Sequence, residues 1–194
     1  MNRRYFIYSV WLIAVVLSFF FDNLFFKLIK LISNRTLDKI MILWSDYLTG
    51  FIIFIIMTII FLFNRKNREW IPVLWLSFII SWLISLSIKG IVHRNRPSPM
   101  LVKEVGSSFP SNHAVISFSS VKIMDKNFKI MNWIWLLFAI IVAFSRIYIN
   151  VHHLSDVMAG SLLGYFIGDV FSYIEDKYKI FRRFNPIRGN IYRN

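Results

Sequence analysis

The apolar residues of this chain come in long blocks, not in the narrow stripes of half-buried strands or surface helices. Six blocks stand out: Tyr5–Phe21, Tyr47–Phe63, Trp70–Ile88, Ser111–Met124, Ile130–Ile149 and Leu154–Tyr173. A helix needs about 20 apolar residues to cross a bilayer, with a range of ~17–25, so the fourth block is short. The pattern predicts an all-α, polytopic membrane bundle of six transmembrane helices. Polar punctuation sets the ends. Arg3 and Arg4 precede the first block, Arg65, Lys66 and Arg68 close the second, Lys89 ends the third, and Asp125, Lys126 and Lys129 close the fourth. Leu24–Ile32 is apolar apart from Lys27 and Lys30 on one helical face, which predicts a short helix lying along the interface. Ser18 to Asp22 offers no small-residue cleavage site, so the first block reads as a retained anchor.

Composition agrees with this pattern. The 194 residues are 57% hydrophobic and only 17% charged, whereas a soluble domain averages about 25% charged. The net charge of +13 is carried by residues that flank the apolar blocks, where anionic lipid headgroups are the natural partner. No basic stripe interleaves with exposed aromatics, so nucleic acid is not an expected partner. With the N-terminus cytoplasmic, the inward segments, including the basic tail 176–194, hold the larger share of Lys and Arg. Both termini are then cytoplasmic, and the loop Gly90–Pro110 and the junction Arg146–Ser155 face outward together from a cytoplasmic (inner) membrane. Residues 1–194 read as one domain. The absence of cysteine excludes disulfides, thiolate metal sites and a Cys nucleophile. None of these patterns sets an oligomeric state.

All four histidines lie between positions 93 and 153, in or beside the outward connections. Three polar clusters form there: Lys89 through Arg96-Pro97, Pro110-Ser111-Asn112-His113, and Ser145-Arg146 through His152 to Asp156. Ionisable groups near membrane depth are costly and are functional candidates by default. Lys89, Arg96 and Arg146 suit a phosphate, Arg as a planar fork and Lys as a point charge. Ser111 is placed to cap the fourth helix, whose first amides could bind an anion, and Asn112 adds a donor. His152 and Asp156 are four apart, so a helix start there puts them on one face. The carboxylate would fix the imidazole tautomer and free the other nitrogen to act as a nucleophile. His113, on another helix, could pass a proton to a leaving oxygen. No metal site is expected, because the adjacent His152 and His153 lack a helical His-x-x-x-His pair and a carboxylate cluster. No cofactor is expected either.

These clusters resemble the signature of the type 2 phosphatidic acid phosphatase (PAP2) superfamily. That signature runs Lys, six residues, Arg-Pro; then Pro-Ser-Gly-His; then Ser-Arg, five residues, His, three residues, Asp. The match spans positions 89–156, with Asn112 where the family pattern has Gly; Asn tolerates unusual backbone angles, so the turn should survive. The six-block layout is similar to the membrane branch of the family. The resemblance implies that His152 attacks phosphorus to form a phosphohistidine, that Asp156 orients it, and that His113 protonates the leaving oxygen and then activates water. It implies that Lys89, Arg96, Ser111, Asn112 and Arg146 hold the phosphoryl oxygens, with no divalent cation. The implied function is a membrane lipid phosphatase acting on a phosphate monoester or diphosphate. Candidate substrates are undecaprenyl diphosphate, lipid A 1-phosphate, phosphatidylglycerophosphate and phosphatidic acid. A polar residue in place of the Gly resembles bacterial-type undecaprenyl diphosphate phosphatases.

The alternative is a transporter or flippase using the same cationic pocket. It would be expected to show internal repeats or broken helices, and the chain has no repeat at a fixed period. Asp156, Gly160, Gly164 and Gly168 recur every four residues. This stripe of small residues allows close helix packing, is expected to face the bundle interior rather than a second copy, and aims Asp156 into the site. Residues 98–109 form a short lid. His93, Arg94 and Lys103 are expected to be solvated loop residues, His153 a structural neighbour of His152, and Asp169 an interfacial residue.

Overall fold

The computed structural model describes residues 3–63, 67–127 and 129–181; the basic tail from 182 onward and the Arg65–Lys66 pair lie outside them. The regular secondary structure of the described residues is all helical, in the order α1 (Arg3–Ile32), α2 (Arg35–Ser45), α3 (Tyr47–Phe63), α4 (Trp70–Val92), α5 (Asn112–Ser119), α6 (Val121–Asn127), α7 (Lys129–Tyr148) and α8 (Leu154–Tyr178). Three of the helices, α1, α4 and α8, are long and apolar enough to cross a membrane unaided. The α2–α3 pair makes a fourth if counted together, bent by 56° at Asp46. The outer faces are those of a lipid-embedded protein. Phe20 is 78% exposed, Leu31 81% and Trp133 72%, a degree of apolar exposure that water would penalise across a whole bundle.

Three elements differ from the expectations. The first block and the interfacial helix are a single 30-residue helix. The stretch holds no Gly or Pro to stop it, and Asp22, just past the first block, is turned onto α8. The short helix before α3 lies instead at Arg35–Ser45. Asn34 caps it, its side-chain oxygen accepting from the Thr36 and Leu37 amides at 3.2 and 3.0 Å, and Asp38 sits in its first turn, where a carboxylate favours the dipole. The fourth block begins at Asn112 and breaks at Ser120 into α5 and α6. Its interior is rich in buried serines, and at 8 and 7 residues neither piece is long enough to cross a bilayer by itself.

The centre of the bundle is α8, which packs most extensively on α5 and then on α1. The glycine stripe makes this possible. A Cβ on Gly164 would lie 2.0 Å from the Val115 carbonyl oxygen, one on Gly168 2.0 Å from that of Ser119, and one on Gly160 2.9 Å from that of Ser111. The stripe therefore faces inward onto the α5 backbone. The close approach brings the Ser111 amide within 3.1 Å of the Asp156 carbonyl oxygen, joining two of the polar clusters.

Gly164→Ala is expected to lower stability by about 3 kcal/mol or more, at the upper end of overpacking costs, because backbone rather than a flexible side chain must move. Gly50→Ala, where a Cβ meets nothing within 4 Å, should leave stability unchanged or slightly raised. Thermal unfolding in detergent, followed by tryptophan fluorescence, checks the pair.

Candidate active site

The end of α4, the start of α5, the α7–α8 junction and the 93–110 loop converge at one end of the bundle, and all eight predicted site residues gather there. His152 lies in the α7–α8 turn, and Asn150, at φ 56°, turns the chain sharply beside it. Its Nδ1 is 3.6 Å from Asp156 Oδ2, an ion-pair distance rather than a hydrogen bond. Its Nε2 is 3.4 Å from Arg96 Nη1. A carboxylate on one side and a guanidinium N–H on the other select the tautomer with its proton on Nδ1 and its lone pair on Nε2. Burial pushes the His152 imidazole down to about 4, outweighing the upward pull of Asp156 and assisted by the Arg146 charge. His152 is thus neutral near pH 7.

Asp156 is wholly buried and held at both oxygens. Oδ2 accepts the His153 amide at 2.8 Å, and Oδ1 accepts Arg94 Nη1 at 2.6 Å. His153 is the N-cap residue of α8, in keeping with a structural role beside His152. Arg94 corrects an expectation: it is not a solvated loop residue but is bonded to Asp156, Ser155 and Asp22. No local pattern marks it, because its partners come from α1 and α8.

The cations converge on the lid. Lys89 Nζ donates to the Ser107 carbonyl at 2.6 Å and more weakly to that of Ser108 at 3.4 Å. Arg96 donates to the Val105, Gly106 and Val151 carbonyls. Arg146, 2% exposed, donates to Ser45 and to Glu104. Glu104, absent from the sequence reading, bridges Arg146 and Arg96, the latter at 3.1 Å. Burial pushes its carboxyl up, but the two guanidiniums more than offset this and hold it below its usual value. A lone acid in a loop gives no sequence signal of such a role.

Ser111 is the N-cap of α5 and completely buried, yet its hydroxyl caps nothing. Asn112 accepts from Ser85 Oγ at 2.5 Å. It is the first residue of α5, and only His93, Asn150 and Lys179 among the described non-glycine residues have positive φ. The Gly-to-Asn departure therefore needs no special backbone angle. His113 is buried with its ring 4.1 Å from that of Tyr47 and the Ser45 backbone beside it; the charged groups facing it include Arg146, Lys89 and His152. Neither ring nitrogen makes a hydrogen bond of normal geometry. Four buried polar atoms of these clusters are thus left without partners, Ser111 Oγ, both His113 nitrogens and Arg146 Nε, besides His152 Nδ1, which faces Asp156. Each would cost about 1–3 kcal/mol if left so, which marks a place shaped for a ligand with several acceptor oxygens. Beneath His113, a cavity of about 230 Å³ with Trp44, Phe51, Phe54, Phe78 and Trp135 in its wall runs between α3, α4, α5 and α7.

Asp169, expected at the interface, accepts from Arg4 Nε and Tyr8 Oη, both near the start of α1, at 2.6 Å each. Among the described residues no cluster of three or more His, Asp or Glu side chains could hold a metal ion.

A helical membrane bundle with a cationic, imidazole-bearing pocket at one end is the class of protein that fold and site define. Residues 73–179, more than half the chain, match the PAP2 superfamily, and the chain belongs to that family. It is 28% identical over 187 residues to an undecaprenyl-diphosphatase from Sulfolobus acidocaldarius, covering 85% of this chain and 89% of the relative. Its fold is similar to that of a transmembrane PAP2-type phosphatidylglycerolphosphate phosphatase from Bacillus subtilis (TM-score 0.72, 22% identity, 91% of this chain and 98% of the other). It is also similar to that of LpxE from Aquifex aeolicus (TM-score 0.68, 23% identity, 78% and 94%).

For Arg96 and Arg146 to grip a phosphoryl group, Glu104 must release at least one of them. Glu104→Gln removes the competing charge and is expected to tighten inorganic phosphate binding at least about fivefold, in line with the strength of charge-assisted hydrogen bonds. Calorimetric titration with phosphate checks this; unchanged or weaker binding contradicts it.

Proposed function

We propose that this chain is an integral-membrane lipid phosphatase that removes a phosphate monoester or diphosphate group from a membrane lipid through a phosphohistidine intermediate. The observation that carries the reading is the set of four unpartnered buried polar atoms on Ser111, His113 and Arg146, clustered with Lys89, Arg96 and a neutral His152. A phosphoryl group supplies the acceptors and the negative charge that this set lacks.

The steps are those that the resemblance to the family signature implies, and the placement of His152 beside Asp156 and Arg96 supports them. The Nε2 lone pair of His152 attacks phosphorus, and the bond from phosphorus to the lipid or leaving-phosphate oxygen breaks. His113 gives that oxygen a proton. Asp156 stabilises the charge that develops on the ring. Water, losing a proton to His113, then attacks the phosphohistidine; the P–N bond breaks, its electrons return to Nε2, and inorganic phosphate leaves. Lys89, Arg96, Arg146, Ser111 and Asn112 hold the phosphoryl oxygens throughout. Each such donor typically supplies about 2.7–4 kcal/mol of transition-state stabilisation. With three side-chain cations in place, no divalent ion is assigned a role.

A lipid substrate is supported by the apolar, largely aromatic cavity of about 230 Å³ that His113 helps to line, chemistry suited to an acyl or isoprenoid chain beside the headgroup. The candidates remain undecaprenyl diphosphate, phosphatidylglycerophosphate, phosphatidic acid and lipid A 1-phosphate. The name of the Sulfolobus relative and the polar Asn112 favour a polyprenyl diphosphate. We place the chain as a single domain in the cytoplasmic membrane, with six membrane-embedded segments: α1, α2–α3, α4, α5–α6, α7 and α8. Its termini are then cytoplasmic and the site is extracytoplasmic, the orientation the Lys and Arg distribution favours.

Phosphate release from those four lipids in detergent with EDTA tests the reading. The parent protein is expected to hydrolyse at least one of them, and His152→Ala to fold but turn over none. Parent-like turnover by His152→Ala removes the nucleophile, and complete loss with EDTA removes the metal-free mechanism. Lipid movement without phosphate release would instead favour the transporter. Because His152 must be neutral to attack, the acid limb of kcat/KM on a diphosphate lipid should fall near pH 4 rather than near 6.5.

A further inference from the structure

The first helix lies outside the stretch matched to the family, yet it reaches the reacting centre. Asp22 Oδ2 accepts Arg94 Nη2 at 2.8 Å, and Arg94 Nη1 donates to Asp156 Oδ1 at 2.6 Å. Asp22 also fastens the start of α8, accepting the Ser155 amide at 2.9 Å and the Ser155 hydroxyl at 2.7 Å. The guanidinium lies 5.1 Å from the centre of the Phe19 ring, again from α1. The Asp22 side chain is 9% exposed and that of Arg94 24%, and Asp22 shares with His152 a polar cavity of about 260 Å³.

We infer that Asp22 and Arg94 are positioning residues that act through Asp156 on the His152 nucleophile, so that α1 completes the catalytic centre. The inference rests on the proposed role of His152. The argument is one of restraint and charge. Asp156 and His152 are not in hydrogen-bond contact, so their alignment depends on what holds the carboxylate from behind. The His153 amide holds one oxygen, and Arg94 is the side chain on the other. Arg94, in turn, stands between two carboxylates, and a fork with one arm released would turn toward solvent.

The two residues carry opposite charges, so their removal has opposite electrostatic consequences. The groups facing His152 are Asp156 from α8, Arg146 from α7, Lys89 from α4, His113 from α5, and Arg96 and Glu104 from the loop. Arg94→Gln leaves Asp156 uncompensated and strengthens its hold on a protonated His152, which moves the acid limb of kcat/KM to higher pH. Asp22→Asn removes a negative charge and leaves Arg94 in excess, which moves it to lower pH.

The test uses the full chain in detergent, with undecaprenyl diphosphate and phosphatidic acid as substrates and His152→Ala as control. Both single variants are expected to lose about tenfold or more in kcat, the scale of a small misplacement of reacting groups, with KM within threefold of the parent. Their acid limbs should shift in opposite directions, and the double variant should return toward the parent limb. Parent-like kcat in either single variant, or lowered activity with unmoved limbs, overturns the inference. If Arg94→Gln does not fold, Arg94→Lys keeps the charge without the fork. It should lower kcat with KM and limb held, and parent kcat or a displaced limb overturns the inference. Residual turnover in His152→Ala would instead remove the role of His152 on which the inference depends.

Discussion

Three cations crowded at one end of an apolar bundle are the constraint around which this structure is arranged. Lys89, Arg96 and Arg146 come from α4, a loop and α7, and like charges a few ångströms apart repel by about 4 kcal/mol per pair at an effective dielectric of 20. Negative charge and carbonyl dipoles must answer them. The lid does so with Glu104 and the backbone carbonyls of residues 105–108. On the proposed function a phosphoryl group would answer them better, since it would also offer acceptors to Ser111, His113 and the free Arg146 Nε.

The scaffold makes that crowding possible. The glycines of α8 let α5 approach until backbone meets Cα, and this seats Ser111 against Asp156. His113 comes from the first turn of α5 and His152 from the turn that leads into α8, so the packing of the two helices brings both to the same end of the bundle. Burial then sets the chemistry. It keeps His152 neutral despite a neighbouring carboxylate, so the imidazole retains its lone pair at neutral pH. Chemistry and fold are linked through one helix pair.

Much of this was legible in the sequence. Long apolar blocks marked the helices, the spacing of Lys89, Arg96, Ser111, His113, Arg146, His152 and Asp156 marked residues that gather at one end of the bundle, and the four-residue glycine repeat marked an inward face of α8, though not its partner α5. Less legible were the features decided by distant partners. Asp22, just past the first apolar block, drew no role from the sequence because its partner is 72 residues away at Arg94. Arg94 and Glu104 sit in an aperiodic loop, where a charge that turns inward has the same sequence signature as one that turns to water. The break at Ser120 was hidden because α5 is polar by composition and buried by context. Asn112 looked like a backbone compromise, whereas its position is plain helix.

The most direct measurement is to quench the enzyme during turnover of a radiolabelled lipid phosphate and locate the label by mass spectrometry under alkaline conditions. A base-stable, acid-labile phosphoryl group on His152, absent when that residue is replaced by Gln, is the expected result. Label on any other side chain, or sustained turnover by the Gln variant, would contradict the account.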